Sequence, residues 1–282
     1  MTEENQQPDG AWQIDPQKYK AAADALFHRE PKLTPRLDKW TEDMPGIQEE
    51  QFVPPRLIRV NEINDTWLEI PRYENIMWGG GWIGSIVCLF PVLFLFPFFF
   101  QPSTYYPVMD LLIFLIGFFC LFSIFLLNLR TVLLVPRGTP IRFNRARQKI
   151  YIYDYQRRWN PWVRWPTTIL VFDWANIHGE MTREVDRYDQ GYRLYGAVCD
   201  PGTNNVRERF VLSYTVGDPA MLHGLWSHCC QYMQGKEVPP YPLVTERPNT
   251  WALWDTVRWP EEIDKESRTA PGEQERSLRE SG

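Results

Sequence analysis

The sequence predicts an α+β membrane protein in which a hairpin of two transmembrane helices is joined to an antiparallel β domain closed by a carboxy-terminal helix. Two long apolar runs separated by a short polar turn predict the hairpin. A change to two-residue alternation beyond the second run predicts the strands, and one amphipathic stretch opened by Asp-Pro predicts the final helix.

From Ile76 to Phe100 there is no charged side chain. A helix of that length extends roughly 37 Å, enough to cross a hydrocarbon core of about 30 Å. Pro91 and Pro97 would break a soluble helix, but a membrane helix tolerates them where neighbouring groups satisfy the freed carbonyls, so a kinked span is expected. Gln101 to Pro107 reads as a polar turn, and Val108 to Leu129 as a second apolar run ended by Arg130, with Asp110 at the interface. Arg56, Arg59 and Arg72 precede the first span, and Arg130, Arg137, Arg142, Arg145, Arg147 and Lys149 follow the second. The turn between them carries neither Lys nor Arg. Positive flanks stay in the cytoplasm, so the expectation is a multi-pass membrane protein with both termini cytoplasmic. Trp78, Trp82, Tyr105 and Tyr106 fit the aromatic belts of such a hairpin. Met1 to Asn5 show none of the basic and apolar features of a secretory signal.

The soluble parts divide at the spans: a cytoplasmic region 1–75, the hairpin 76–130, a β domain with a packed extension 131–260, and a structureless tail 261–282. Before the membrane, Asp15-Pro16 opens a helix to about His28. Residues 30–72, broken by six prolines, read as an extended layer with short strands at Leu57–Val60 and Trp67–Ile70 and no core of their own. After the membrane, Ile141–Asn144 and Ile150–Tyr155 form a hairpin around a basic turn. Strands then follow at Thr168–Trp174, Ile177–Thr182, Gly191–Val198 and Arg207–Leu212. Asp218-Pro219 starts a helix from about Ala220 to Met233, with Gly235 as its stop. The Pro-rich stretch beyond Lys236 carries Trp251, Trp254, Val257 and Trp259, which should pack back on the domain. From Glu261 apolar content is too low for independent folding.

The net charge of −5 gives no reason to expect a nucleic-acid partner. Five cysteines at no metal-like spacing fit reduced thiols. Gly79 to Gly84 matches the letters of a dinucleotide fingerprint without the strand and βαβ unit that motif needs. Gly80 and Gly84 instead offer G-x-x-x-G spacing for close helix contact, possible between copies of the chain. His223, His228, Cys229 and Cys230 share the final helix, but the two histidines do not share an i, i+4 face and neither cysteine has an activating base nearby. Asn64-Asp65-Thr66 is a glycosylation sequon on the cytoplasmic side and is discounted. No phosphate-binding loop, nucleophile elbow, zinc motif or triad is present, so no enzyme activity, metal or cofactor is expected. The candidate contact residues are Arg142, Arg145, Arg147, Lys149, Arg157 and Arg158, a juxtamembrane basic set able to meet anionic lipid or a protein partner. The same cluster is what the positive-inside rule alone demands. Trp159, Trp162 and Trp165, interleaved with Pro161 and Pro166, suit a loop at the membrane interface or docked on the amino-terminal layer.

Several short strands closed by one amphipathic helix, over about Leu134 to Gly235, resemble the pleckstrin-homology-like barrel or sandwich. The Phe-rich hairpin, Phe143-Asn144-Arg145 ahead of Ile150-Tyr151-Ile152-Tyr153, and Trp174-x-x-Ile177-x-Gly179-Glu180 look like a poorly characterised proteobacterial family encoded near type VI secretion spike and effector genes. That resemblance implies a membrane-anchored protein-binding module, an immunity or accessory factor whose partner is a secreted effector or spike component. The alternative is a lipid-sensing scaffold that holds anionic headgroups through the Arg142–Lys149 hairpin.

Overall fold

A computed structural model describes residues 30–73, 78–97, 108–136, 138–185, 190–245 and 257–272, together with Gln17. The expected helix up to His28, the turn Gln101–Pro107, and Trp251 and Trp254 lie outside the described residues.

The fold is α+β, with two antiparallel sheets and helices. One sheet has the order β2-β3-β4-β5-β6 and comprises β2 (Glu62–Ile63), β3 (Trp67–Tyr73), β4 (Gly138–Asn144), β5 (Lys149–Tyr155) and β6 (Thr167–Asp173). The other has the order β1-β7-β8-β9 and comprises β1 (Trp40–Asp43), β7 (Ile177–Val185), β8 (Gln190–Cys199) and β9 (Val206–Val211). Among the described residues no strand pair joins the two sheets, so of the barrel or sandwich expected, the barrel is not formed and two separate antiparallel sheets stand in its place. The break falls between β6 and β7, where a 3-10 turn at Trp174–Asn176 redirects the chain and plants Trp174 in the core. There its ring meets Phe143 edge-on at 5.9 Å and Trp226 at 5.6 Å.

One apolar core lies between the sheets. Ile141, Phe143, Ile150 and Ile152 supply one side and Met181, Leu194 and Phe210 the other, with the stacked rings of Phe172 and Phe210 spanning them. Helix α3 (Pro219–Met233) caps this core through Leu222, Leu225, Trp226 and Tyr232. Asp218 starts it as expected, its carboxylate accepting from the Ala220 N–H at 2.9 Å.

The segment before the apolar helices joins the same core. β1 pairs with β7, and β3 pairs along its whole length with β4, from Trp67 opposite Asn144 to Tyr73 opposite Gly138. Leu57–Val60 is not a strand; Leu57 and Ile58 are core residues whose carbonyls accept from the Leu243 and Val244 N–H groups. Arg72, one of the cations expected to flank the first span, is part of the β domain. It is buried, and its guanidinium donates to the carbonyls of Thr139, Tyr153 and Val211, tying the two sheets together.

Helix α1 (Trp78–Leu95) carries Pro91, and helix α2 (Val108–Leu134) follows it. By length and composition α2 can cross a membrane, and its most apolar stretch is not buried within the protein. The apolar part of α1, Gly80–Leu95, is shorter. The helices touch where Gly81 meets Val132 and Gly84 meets Asn128, an antiparallel contact; a Cβ on Gly81 would stand 2.5 Å from a Val132 methyl. Gly84 is thus engaged within its own chain, while Gly80 is exposed.

The tail expected to be structureless from residue 261 begins with a helix, α4 (Glu261–Arg268). Its only buried residue is Ser267, so it is held by charge and hydrogen bonds rather than by apolar area.

Candidate functional site

The six basic candidates fall into two groups. Arg142, at the centre of β4, points to the face where α4 lies and is only 1% exposed. Its guanidinium pairs with Glu69 of β3 and donates to Asp264 Oδ1 at 2.6 Å and Ser267 Oγ at 2.8 Å of α4. Trp67 and Trp259 flank it, with ring centroids 5.1 and 4.2 Å away. A buried cation with two carboxylates and two aromatic faces is an internal lock rather than a surface contact.

Arg145, Arg147 and Lys149 extend the same arrangement. Arg145 bonds Asp65 and lies over the Tyr232 ring at 5.2 Å. Arg147 Nε donates to the Thr269 carbonyl at 2.9 Å, and Asn144 Nδ2 donates to the carbonyls of Ser267 and Thr269, both at 3.0 Å. These donors satisfy carbonyls at the end of α4, where a helix presents partial negative charge. Lys149 stands 3.8 Å from Glu266, which also accepts from the Tyr151 hydroxyl at 2.8 Å. Burial, followed by that bond to Glu266, pushes the Tyr151 phenol upward.

Arg157 and Arg158 belong to the β5–β6 loop, residues 156–166, and are exposed. This loop lies along α2. Trp162 stacks on Phe119 at 5.5 Å and 6°, meets Phe122 at 5.8 Å, and donates its indole N–H to Ser123 Oγ at 3.2 Å. Arg130 of α2 donates to the carbonyls of Pro161 and Val163, with its guanidinium 4.8 Å from the Trp165 ring centroid. Trp165 donates to the Asn160 carbonyl at 3.0 Å, and Asn160 Oδ1 accepts from the Trp162 N–H at 2.9 Å. Trp159, at the loop tip, is 88% exposed. The sequence flagged the tryptophans but not Arg130 as the residue that holds their loop. The signal available was an arginine directly ending an apolar run, which the positive-inside rule absorbs.

The His/Cys group on α3 is structural. His228, Cys229 and Cys230 are buried, and among the described residues neither ring nitrogen of His228 has a hydrogen-bond partner. Burial holds His228 down to about 3, so its ring is neutral, and pushes both thiols up. His223 instead bonds Glu42 at 2.8 Å. Among the described residues no group of three His, Cys, Asp or Glu side chains is placed to hold a metal.

The Trp174-to-Glu180 motif also has a structural explanation. Trp174 and Ile177 are core residues, and Gly179 leaves room for Met44 and Trp226. Glu180 is buried and accepts from Arg209 Nε at 2.7 Å.

Residues 118–257 match the model of DUF6708, a family of unknown function. The DUF6708 match covers just under half of the chain, from the middle of α2 through β4–β9 and α3. It therefore contains Arg130, the 156–166 loop and the Arg142 lock, but neither β3 nor α4, which complete that lock. No curated protein and no solved structure matches the chain.

Proposed function

We propose that this chain is a membrane-anchored protein-binding module: a two-span helical hairpin holding a two-sheet β domain on the cytoplasmic face of the bacterial inner membrane. The observation that carries the reading is the β3–β4 ladder. The chain leaves the sheet at Tyr73 and returns at Gly138, which are paired residues on adjacent strands. Both ends of the helical excursion therefore lie on one side of any bilayer, and the number of crossings is even. If α2 spans, the chain must also cross between residues 74 and 107, where α1 supplies a helix of about 27 Å. The absence of Lys and Arg from the 101–107 turn places that turn outside and the β domain inside.

Within this reading the resemblance supports a type VI secretion immunity or accessory role, with a secreted effector or spike component as partner. The lipid-sensing alternative has less support from the Arg142–Lys149 hairpin, because Arg142, Arg147 and Lys149 face α4 and the segment following it. An alkaline phosphatase reporter inserted within 101–107 should be active, and reporters fused at either terminus should not; active terminal fusions would overturn the topology. Deleting the gene should leave cells sensitive to a cognate effector or unable to secrete one. A strain unaltered in both respects would remove the secretion role and leave the anchor reading intact.

A further inference from the structure

The hairpin expected to meet lipid is occupied internally, yet the 156–166 loop has the composition and the hydrogen bonding of a membrane contact. Exposed Arg157, Arg158 and Arg164 accompany the exposed Trp159 and Trp162, and the loop is fastened to α2, which is long and apolar enough to cross a membrane. Irregular backbone enters a bilayer interface cheaply only where its polar groups already have partners. Here the Asn160, Pro161 and Val163 carbonyls and the Trp162 N–H all have them, supplied by Trp165, Arg130 and Asn160. The Trp162–Ser123 bond sets the depth: Ser123 lies about 10 Å along α2 from Arg130 at a helical rise of about 1.5 Å per residue. Phe119, on which Trp162 stacks, lies about 16 Å along α2 from Arg130, so Trp162 reaches from the level of interfacial aromatic groups into the acyl chains.

We propose that the 156–166 loop is a wedge seated in the cytoplasmic headgroup layer beside α2, with Trp159 as its anchor and Arg157, Arg158 and Arg164 against anionic lipid phosphates. This rests on the membrane reading above. Trp162 and Arg130 fix the wedge to the helix, while Trp159, with no ring contact among the described residues, presents its indole to the lipid. Each arginine near an anionic surface should shift the seated-to-lifted ratio by about fivefold.

The test is depth-dependent quenching of the full-length protein in nanodiscs containing phosphatidylglycerol. A fluorescent amino acid replaces Trp159, Ile116 of α2 or Arg207 of β9, one at a time. The 159 probe should be quenched by headgroup-labelled lipid and shielded from aqueous iodide. The 116 probe should respond to chain-labelled lipid, and the 207 probe to iodide alone. If the 116 probe responds to lipid while the 159 probe responds only to iodide, the wedge is wrong and the anchor stands. If the 116 probe also fails to respond to lipid, the membrane reading falls and the wedge with it. Replacing phosphatidylglycerol by phosphatidylcholine, or making Arg157→Gln, Arg158→Gln and Arg164→Gln together, should raise iodide access at 159; unchanged access in both would overturn the phosphate contact.

Discussion

Replacing Arg142 by methionine removes a cation that holds three segments together. In the folded chain its guanidinium is shared among Glu69, Asp264 and Ser267 and lies between Trp67 and Trp259. Truncating one partner of a buried ion pair costs about 3–5 kcal/mol, because the remaining charge is left desolvated and unpaired. Glu69 is nearly buried but keeps the Asn61 amide as a donor at 2.8 Å, so it bears only part of that penalty, and Asp264 is about one-third exposed and regains water. The expected loss is therefore near the lower limit, about 3 kcal/mol, or more than a hundredfold in the folded-to-unfolded ratio. Methionine keeps much of the volume between the two indoles, so most of the loss is electrostatic.

The same substitution should release α4, which has almost no apolar grip of its own. Denaturant unfolding of the full-length protein in detergent measures the first effect, and trypsin cleavage at Lys265 and Arg268 under native conditions measures the second. Adding Glu69→Leu to the variant removes the orphaned carboxylate and should recover at least half of the lost stability. A single variant within about 0.5 kcal/mol of wild type, or a double variant no better than the single, would refute the lock.

Acidification should destabilise the fold through His228. Its folded value of about 3 lies below the ordinary 6.5, so its contribution is complete above pH 6.5 and is lost as pH falls towards 3. The loss is about 2 kcal/mol by pH 5, and His228→Leu should remove that part of the slope in unfolding curves recorded across this range. Gly179→Ala puts a Cβ 2.8 Å from Met44 and 3.0 Å from Trp226, and should cost about 1–3 kcal/mol by denaturant unfolding; Gly217→Ala, which meets nothing within 4 Å, should cost far less. Arg130→Lys keeps the flanking charge but cannot both span two carbonyls and stack on Trp165, so amide exchange in the 156–166 loop should accelerate tenfold or more without a change in topology. Cys229 and Cys230, buried with raised thiols, should resist maleimide at neutral pH until the domain unfolds.

The strands after the apolar helices were legible because each alternates apolar and polar residues and is separated from the next by turn residues. Helix α3 was legible from Asp218-Pro219 and the stripe behind it. β3 was only partly legible, and β1 was not read as a strand. Pro71 lies inside β3, and β1 is four residues long with a register shift against β7, so both depend on partners distant in sequence. Composition pointed away from α4, because what orders it is a basic face on β4 and β5 and not its own side chains. For the candidate residues, the sequence displays charge but not the pairing that consumes it. Arg142 and Arg158 look alike in the chain, yet one is sealed between two indoles and the other faces solvent.

The β3–β4 ladder also determines how the apolar helices and the β domain can influence one another. Tyr73 and Gly138 are paired, and only residues 74–77 and 135–137 separate that rung from α1 and α2. A shift of α2 against α1 that reached this rung would either open the end of the ladder or carry β3 and β4 with it. Arg72, one residue inside that end, bonds carbonyls of both sheets, so the ladder cannot move without repacking their interface. The Arg130 contacts give α2 a second attachment, to the 156–166 loop, on the far side of β5 from β4. Two attachments to one sheet resist rotation of the β domain about the helix axis, where a single tether would allow it. The two attachments thus hold the β domain in a set orientation relative to α2.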